Sequence, residues 1–213
     1  MGNDSKYKIV VSGAADISHC CLKIKQLSEE VGKEIIRQRG VLLTGATTGA
    51  PYFAAKGAKE IKGTSIGFSP ASSEKEHIRV YHLPIDKFDL IVYTGFDYVG
   101  RNLILTKAAD GVIIICGRTG TLNEFTVAFE AKLPIGVLEN SGGTADLIPE
   151  ILKRGHRPEK KIVFDSNPKK LVSKLIQLIK KEKRSNNKYI KNSPRGIISS
   201  KTKFPRKGIP QGK

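Results

Sequence analysis

Hydrophobic positions in the first 180 residues form short apolar runs, separated by stretches in which apolar residues recur at helical spacing. The apolar runs predict strands at 7–12, 41–44, 64–68, 89–94, 112–115, 134–138 and 161–164, with an extended segment at 78–83 after a loop at 69–76. The periodic stretches predict helices at 20–39, 99–109, 121–131, 146–154 and 168–182, and one that has Pro51 in its first turn and ends near Gly63. Alternating strands and helices predict an α/β fold: a Rossmann-like, doubly wound, mostly parallel sheet with helices on both faces.

The composition changes after residue 184, where Ser, Asn, Lys, Pro and Gly dominate and apolar residues are isolated. Such a segment buries too little surface to offset the entropy lost on ordering. We therefore predict one Rossmann-like domain over 1–184 and a disordered basic C-terminal tail over 185–213. From Lys180 onward, twelve Lys and Arg residues are opposed only by Glu182, so this segment carries most of the net charge of +17.

The basic tail has three interpretations: a solvated segment that aids solubility, a nucleic-acid contact through phosphate neutralisation, or a contact with anionic membrane. Tyr189 and Phe204 are the only aromatic residues near it, too few for base stacking. The solvated segment is favoured, with nucleic acid second. No apolar run approaches the ~20 residues that span a bilayer, and the first residues lack a secretory pattern. The sequence therefore predicts a cytoplasmic protein with no membrane partner.

The three cysteines, Cys20, Cys21 and Cys116, do not indicate a disulfide framework. Neighbouring cysteines pair poorly with each other, and the count is odd, so we expect three reduced thiols. The chain contains no Cys-x-x-Cys or His-x-x-x-His spacing, and hence no metal site is predicted. A less favoured alternative is that Cys116 is a thiol of low pKa at the mouth of a glycine turn.

The most informative motif is the junction that follows the predicted strand 112–115. Gly117, Arg118, Thr119 and Gly120 form a turn, and a helix opens at Thr121. Free backbone N–H groups and the positive end of the helix dipole then meet beyond the carboxyl end of the strand, where α/β sheets bind phosphate. Glu124 lies one helical turn further on, within reach of a bound ligand.

Two more junctions occupy equivalent positions: residues 45–49 after the second strand, and Gly100-Arg101-Asn102 at the start of a helix. Each motif alone is compatible with an ordinary turn. Thr121 to Glu124 also matches a capping box, in which Glu124 bonds only the Thr121 N–H. Together the junctions predict a nucleotide-binding domain. The candidate phosphate- and nucleotide-binding residues are Gly13, Gly45, Thr48, Gly49, Asn102, Gly117, Arg118, Thr119, Gly120 and Thr121.

Residues 116–124, Cys-Gly-Arg-Thr-Gly-Thr-Leu-Asn-Glu, resemble the signature Pro-Gly-Gly-x-Gly-Thr-x-x-Glu of the Lonely Guy-like Rossmann proteins, once commonly labelled lysine decarboxylases. These belong to a wider group that includes molybdenum-cofactor carrier-like proteins. Residues 101–105 resemble the family's Arg-Lys-x-x-Met stretch, and residues 45–49 loosely resemble an earlier glycine-rich turn. The resemblance covers about residues 7–180.

This resemblance implies hydrolysis of the N-glycosidic bond of nucleoside 5′-monophosphates to base and ribose 5-phosphate, with Arg101 and Glu124 as the catalytic pair. It also implies a homodimer with sites near the subunit interface, and no metal or redox cofactor. The chemistry is consistent, because the bond breaks through an oxocarbenium-like state that a carboxylate stabilises. Arg101 would hold the phosphate or assist the departing base.

Two departures from the signature separate this chain from the enzymes: Cys116 replaces the proline and Arg118 replaces the second glycine. Arg118 either adds a phosphate contact or fills the pocket. Nucleotide binding tolerates these changes better than catalysis does. Three hypotheses follow: a nucleoside-monophosphate phosphoribohydrolase, a non-catalytic carrier or sensor of a nucleotide or cofactor, and a nucleic-acid-binding module that uses the tail.

Overall fold

The structure, a computed structural model, describes residues 7–157 and 160–192, with side chains described through residue 185. The strands of this part of the chain are β1 (Tyr7–Gly13), β2 (Gly40–Thr44), β3 (Ser65–Ser69), β4 (Leu90–Tyr93), β5 (Gly111–Ile115), β6 (Ile135–Leu138) and β7 (Ile162–Asp165). Its helices are α1 (Ile24–Arg37), α2 (Ala50–Glu60), α3 (Glu74–Arg79), α4 (Asp97–Lys107), α5 (Thr119–Glu130), α6 (Gly143–Arg154) and α7 (Pro168–Asn192).

The seven strands form one parallel sheet in the order β4-β3-β2-β1-β5-β6-β7. From β1 the chain builds outward through β2, β3 and β4, and then returns to add β5, β6 and β7 on the other side. The winding direction therefore reverses between β1 and β5, whose carboxyl ends border a crevice where such folds bind ligands. The predicted fold class is confirmed.

Helices cover both faces of the sheet. Core residues of α1, α2 and α7, such as Val31, Ala54 and Leu175, pack on one face. Core residues of α4, α5 and α6 pack on the other, with Phe125 and Ile148 among the most deeply buried. Because β1 and β5 are covered on both sides, their apolar runs are continuous and do not alternate with polar residues.

Two local predictions were wrong. The helix predicted from residue 20 begins only at Ile24, because Cys20 forms an antiparallel bridge with Gly142 and the Cys21 N–H donates to the Ser141 carbonyl (3.1 Å). The segment 78–83, predicted to be extended, instead follows and partly belongs to α3. The Ser73 hydroxyl accepts from the Glu76 N–H (3.3 Å) and caps this helix.

The chain up to Lys180 forms one compact unit, and a second unit begins at Lys181. Helix α7 runs to Asn192, although the sequence analysis ended it at Glu182. The weak helix formers Ser185, Asn186 and Asn187 do not end the helix, because Lys and Arg residues flank them and no proline occurs before Pro194. Residues 193–213 of the predicted tail lie outside the described residues. No helix in the described ranges is both long and apolar enough to cross a membrane.

Candidate functional site

A cavity of about 470 Å³ opens at the carboxyl ends of the central strands. Its walls come from the end of β1, the loop after β2, one side of α4 and the first turn of α5. The polar and glycine residues that line it are Ser12, Gly13, Asp16, Gly45, Thr47, Tyr98, Arg101, Asn102, Arg118, Thr119, Gly120, Thr121 and Glu124. The cavity thus lies at the point where the winding of the sheet reverses.

The first turn of α5 forms the anion-attracting wall of the cavity. Thr119, Gly120 and Thr121 all line it, and the side chain of the preceding residue, Arg118, makes no capping hydrogen bond. Helix geometry leaves the first N–H groups without intrahelical acceptors and places the positive end of the dipole here. A Cβ on Gly120 would meet no atom within 4 Å. The space beside this backbone is therefore open to a ligand.

The Arg101–Glu124 ion pair forms the polar floor of the cavity. Arg101 Nη1 donates to Glu124 Oε1 (3.3 Å), and the Ser12 hydroxyl donates to Oε2. The two side chains of the pair are only 5% and 8% exposed. Both carboxylate oxygens therefore face Ser12 and Arg101, not the Thr121 N–H that the capping-box alternative requires.

Burial shifts the proton equilibria of this pair. It raises the pKa of the Glu124 carboxyl, while the Arg101 charge and the Ser12 hydrogen bond act in the opposite direction. Burial also lowers the pKa of the Arg101 guanidinium, against the attraction of Glu124. The site thus holds a carboxyl group that binds a proton more readily than an exposed glutamate does.

Asn102 and Tyr98 complete the α4 wall. The Asn102 amide nitrogen must face the Tyr98 carbonyl (2.9 Å) and Glu124 Oε1 (3.0 Å), because both neighbours are acceptors. The guanidinium of Arg101 lies over the Tyr98 ring, 5.7 Å from its centre. Arg101 Nε is buried and has no hydrogen-bond partner among the described residues. A buried donor of this kind suits a ligand oxygen or an ordered water.

Arg118 and Asp16 form an ion pair at the rim of the cavity. Arg118 Nη2 donates to Asp16 Oδ2, and both side chains are 55% exposed. Hydrogen bonds from Ser18, with a further contribution from Arg118, lower the pKa of Asp16 to about 2. The Arg118 side chain therefore lies at the rim and leaves the cavity open.

Three predicted ligand residues lie outside the cavity lining and shape the turns. Gly49 (φ +71°) and Gly117 (φ +103°) adopt the left-handed conformation that glycine tolerates best, and side chains there would overlap neighbouring backbone or Thr121. The Thr48 hydroxyl donates to the Ala15 carbonyl (3.0 Å). The other predicted residues do line the cavity: Gly13, Gly45, Arg101, Asn102, Arg118, Thr119, Gly120, Thr121 and Glu124.

Ser12 is the residue of the buried Arg101–Glu124 cluster that the sequence analysis did not select. It ends the apolar run of β1, and the residue is only 1% exposed. A polar residue at the carboxyl end of a buried central strand is a usable signal, because its hydroxyl needs a buried partner. Here that partner is Glu124.

The cysteine prediction was wrong for two of the three thiols. Cys20 and Cys116 form a disulfide, with Cα atoms 5.8 Å apart, and Cys21 is free. The two residues are 96 positions apart, but β1 and β5 are adjacent, so the segments that follow them meet. His19 joins them: its Nε2 lies 3.6 Å from Cys116 Sγ and 3.3 Å from the Gly117 carbonyl oxygen.

These features define a Rossmann-like α/β protein with an anion-attracting site at the switch point of its sheet. The chain belongs to the SLOG cluster4 family, which residues 6–172 match. It is 25% identical over 150 residues to an uncharacterized protein of Archaeoglobus fulgidus, covering 70% of this chain and 87% of that protein.

Among solved structures, the chain is similar to a molybdenum cofactor binding protein from Rippkaea orientalis. The two are 27% identical, with a TM-score of 0.65 over 83% of this chain and 97% of the other. It is also similar to the molybdenum cofactor carrier protein of Chlamydomonas reinhardtii, at 26% identity and a TM-score of 0.65. That match covers 82% of this chain and 99% of the carrier.

Proposed function

We propose that the cavity binds a nucleotide or a nucleotide-like cofactor through its phosphate group. The observation that carries this proposal is the open first turn of α5, where the space beside Gly120 is free and the helix dipole favours an anion. A cavity of about 470 Å³ is of the size that holds a small organic ligand. The phosphate would accept hydrogen bonds from backbone N–H groups of residues 119–121.

The floor of the cavity supplies the contacts for the rest of the ligand. The unpaired Nε of Arg101 offers a donor, and Glu124 offers acceptor capacity to sugar hydroxyls. Tyr98 lines the same wall and presents an aromatic ring to a base or another planar group. In a ribose phosphate, the phosphate would bind the N–H groups of the first turn of α5, and the sugar hydroxyls would donate to the Glu124 carboxylate.

A carrier or sensor without turnover fits this arrangement. The similar structures from Rippkaea orientalis and Chlamydomonas reinhardtii are proteins that bind or carry molybdenum cofactor, which supports a cofactor-binding role for this chain. In this role Glu124 and Ser12 would orient the ligand, and Arg101 would neutralise the carboxylate. Arg118 at the rim would then exchange its Asp16 partner for the ligand phosphate.

Hydrolysis of a nucleoside 5′-monophosphate is the second candidate, and the Arg101–Glu124 pair favours it. Arg101 and Glu124 are the residues to which the Lonely Guy-like resemblance assigns catalysis. In this reaction the N-glycosidic bond breaks, the base leaves with the bonding electrons and takes up a proton, and water adds to the anomeric carbon. Glu124 would stabilise the cationic sugar or orient the water, while Ser12 and Arg101 hold the carboxylate in place.

Two substitutions at Gly120 test the proposed phosphate site at residues 119–121. Gly120→Asp adds a negative charge beside the phosphate position, and Gly120→Asn adds nearly the same volume without the charge. The site has room for both, and an aspartate in the first helical turn does not destabilise the helix. We expect calorimetric binding of AMP or CMP to be lost in Gly120→Asp and largely kept in Gly120→Asn. Equal binding by both variants would contradict the proposal.

Turnover is tested separately by measuring ribose 5-phosphate after incubation with nucleoside monophosphates. If the chain is a hydrolase, wild type releases the sugar phosphate and Glu124→Gln binds the nucleotide without releasing it. Binding with no release by wild type assigns the carrier or sensor role. Equal release by Glu124→Gln would remove Glu124 from the chemistry.

We also propose that the protein forms a homodimer through an apolar edge face made of Leu90, Val92, Phe96, Val99 and Leu103. Val99 and Leu103 are one helical turn apart on α4 and are 74% and 52% exposed. Leu90 and Val92 lie on edge strand β4, in register with Ile66 and Phe68, which pack against the core on the α4 side. The edge face therefore continues from strand to helix, and a second copy would cover it.

The nucleic-acid alternative depends on the basic tail. Most of that segment, residues 193–213, lies outside the described residues, so the alternative stays a prediction from charge alone. Deleting residues 185–213 and measuring binding to single-stranded DNA or RNA at two salt concentrations tests it. Salt-sensitive binding that disappears with the deletion would support the tail as the contact.

A further inference from the structure

We propose that the reduced form of the protein binds a thiophilic divalent cation, such as Zn²⁺, through His19, Cys20 and Cys116. One ligand atom from each residue lies within 4.8 Å of the other two. Nitrogen and sulfur donors in this combination are typical of Zn²⁺ sites. The site goes beyond the proposed nucleotide function, and its three residues do not line the phosphate cavity.

The separation of the donors fits a tetrahedral metal. With Zn–S near 2.3 Å and Zn–N near 2.0–2.1 Å, a tetrahedral angle separates sulfur and nitrogen by about 3.6 Å. Cys116 Sγ and His19 Nε2 are 3.6 Å apart. The Cys20 and Cys116 backbones are already close, with Cα atoms 5.8 Å apart, so both sulfurs can turn toward one centre when the disulfide opens.

The surrounding backbone holds this cluster in place from several sides. The Ser141 hydroxyl donates to the carbonyl of Leu138 and accepts from the Cys116 N–H (2.8 Å), and the Ala145 N–H donates to the Cys116 carbonyl (2.8 Å). Cys20 is bridged to Gly142. The two cysteine ligands are therefore held by contacts that do not depend on the disulfide, and their positions can persist after reduction.

The three ligand residues differ in solvent exposure. Cys116 is fully buried, Cys20 is half-buried and His19 is exposed. A cation can therefore reach the site from the His19 side, and a reductant can reach the disulfide through Cys20. Three protein ligands leave a fourth tetrahedral position, which water or a small ligand can occupy on the exposed side.

Redox state controls the site. A dithiol reductant opens the Cys20–Cys116 bond by thiol–disulfide exchange: the dithiol is oxidised to its own disulfide, and both protein sulfurs become thiols. Zn²⁺ then displaces one proton from each thiol and accepts an electron pair from each thiolate and from Nε2 of neutral His19. The ring proton must then sit on Nδ1, and Nε2 gives up its contact with the Gly117 carbonyl. In the oxidised protein the two sulfurs are bonded to each other, and the site does not exist.

The test uses the full-length protein, oxidised or reduced with a phosphine that is then removed. Zn²⁺ binding is measured by competition with a colorimetric chelator, and Co²⁺ substitution reports thiolate ligation by its charge-transfer absorption in the near ultraviolet. We expect one Zn²⁺ per reduced chain, none in the oxidised chain, and a Zn²⁺-dependent rise in Tm for the reduced form only.

Cys21→Ser is the matched control, because it removes the neighbouring free thiol and leaves the three ligands. This variant should bind one Zn²⁺ as wild type does. Cys20→Ser and Cys116→Ser should lose the binding and the thiolate absorption, and His19→Asn should bind more weakly while keeping the absorption. The proposal is overturned if the reduced wild type binds no more Zn²⁺ than the oxidised protein, or if Cys21→Ser loses binding as Cys20→Ser does.

Discussion

Gly45 lies directly against the guanidinium of Arg101, so that a methyl group on its Cα would overlap Nη1 and come within 2.7 Å of Cζ. The same Nη1 donates to Glu124. The glycine that follows β2 therefore leaves room for the arginine that pairs with the buried Glu124 carboxylate. This space requirement gives Gly45 a role at the site that does not depend on contact with a phosphate.

Gly45→Ala should therefore displace Arg101 and disturb its pair with Glu124. We expect a loss of about 1–3 kcal/mol in the free energy of unfolding, because the methyl group overpacks a buried site. Nucleotide binding should weaken as well. Gly120→Ala is the control, since a methyl group there meets no atom within 4 Å. Urea denaturation compares the two variants, and equal stability would contradict the spatial argument.

Asp16→Asn should strengthen the binding of a phosphate-bearing ligand. In the structure Asp16 engages the Arg118 guanidinium at the rim of the cavity, and a ligand phosphate would compete with it for the same cation. Removing the carboxylate charge releases Arg118 to the ligand, whereas Arg118→Ala removes the cation and should weaken binding. Calorimetric titration with a nucleoside monophosphate measures both changes. Weaker binding by Asp16→Asn would show that the pair supports the ligand jointly.

Glu124 should make stability depend on pH in a direction opposite to that of an exposed, salt-bridged carboxylate. Burial raises its pKa in the folded state above the ordinary value of 4.5, so the folded protein keeps this proton to higher pH than the unfolded chain does. Its contribution is then fully present below pH 4.5 and is lost as pH rises through the folded pKa.

Comparison with Glu124→Gln isolates this contribution from the other carboxylates. We expect the unfolding free energy of wild type, relative to Glu124→Gln, to fall as the pH is raised from 4.5. Denaturant unfolding at a series of pH values measures the difference. A constant difference between the two proteins would mean that Arg101 and Ser12 fully compensate the cost of burying the charge.

Val99→Lys should reduce self-association if the apolar edge face is a dimer interface. A lysine at this position places a charge in the middle of the proposed contact, yet costs the monomer little because Val99 is 74% exposed. Leu147→Lys, at an exposed position on α6, is the control and should leave the assembly unchanged. Light scattering coupled to size exclusion gives the mass of each protein. A monomeric wild type would remove the homodimer proposal.

The fold could be predicted because its central strands are buried on both sides. Residues 112–115 and the apolar part of β1 have no polar interruptions, which identifies parallel strands without knowledge of their partners. The segment 78–83 misled the same reasoning, since Ile78 and Val80 suggest burial but are 41% and 65% exposed. The capping serine at residue 73 carried the better signal there.

The candidate site could be predicted only in part, because a linear motif does not show which side of a turn faces the ligand. Gly120 and Gly117 belong to one motif, yet Gly120 borders open space while Gly117 turns the backbone at φ +103°. Ser12 and Glu124 are hydrogen-bonded in the fold although they lie 112 positions apart in the sequence. The disulfide was missed for the same reason, because strand order decides which distant segments meet.

The cavity is assembled from segments that extend from Val11 in β1 to Glu124 in α5, so no shorter piece of the chain contains it. A chain still emerging from the ribosome would therefore gain the proposed ligand affinity only after α5 has docked beside the first strand. A ligand bound as proposed would then stabilise only the chains that have passed this point, because it binds the assembled cavity and not the incomplete one.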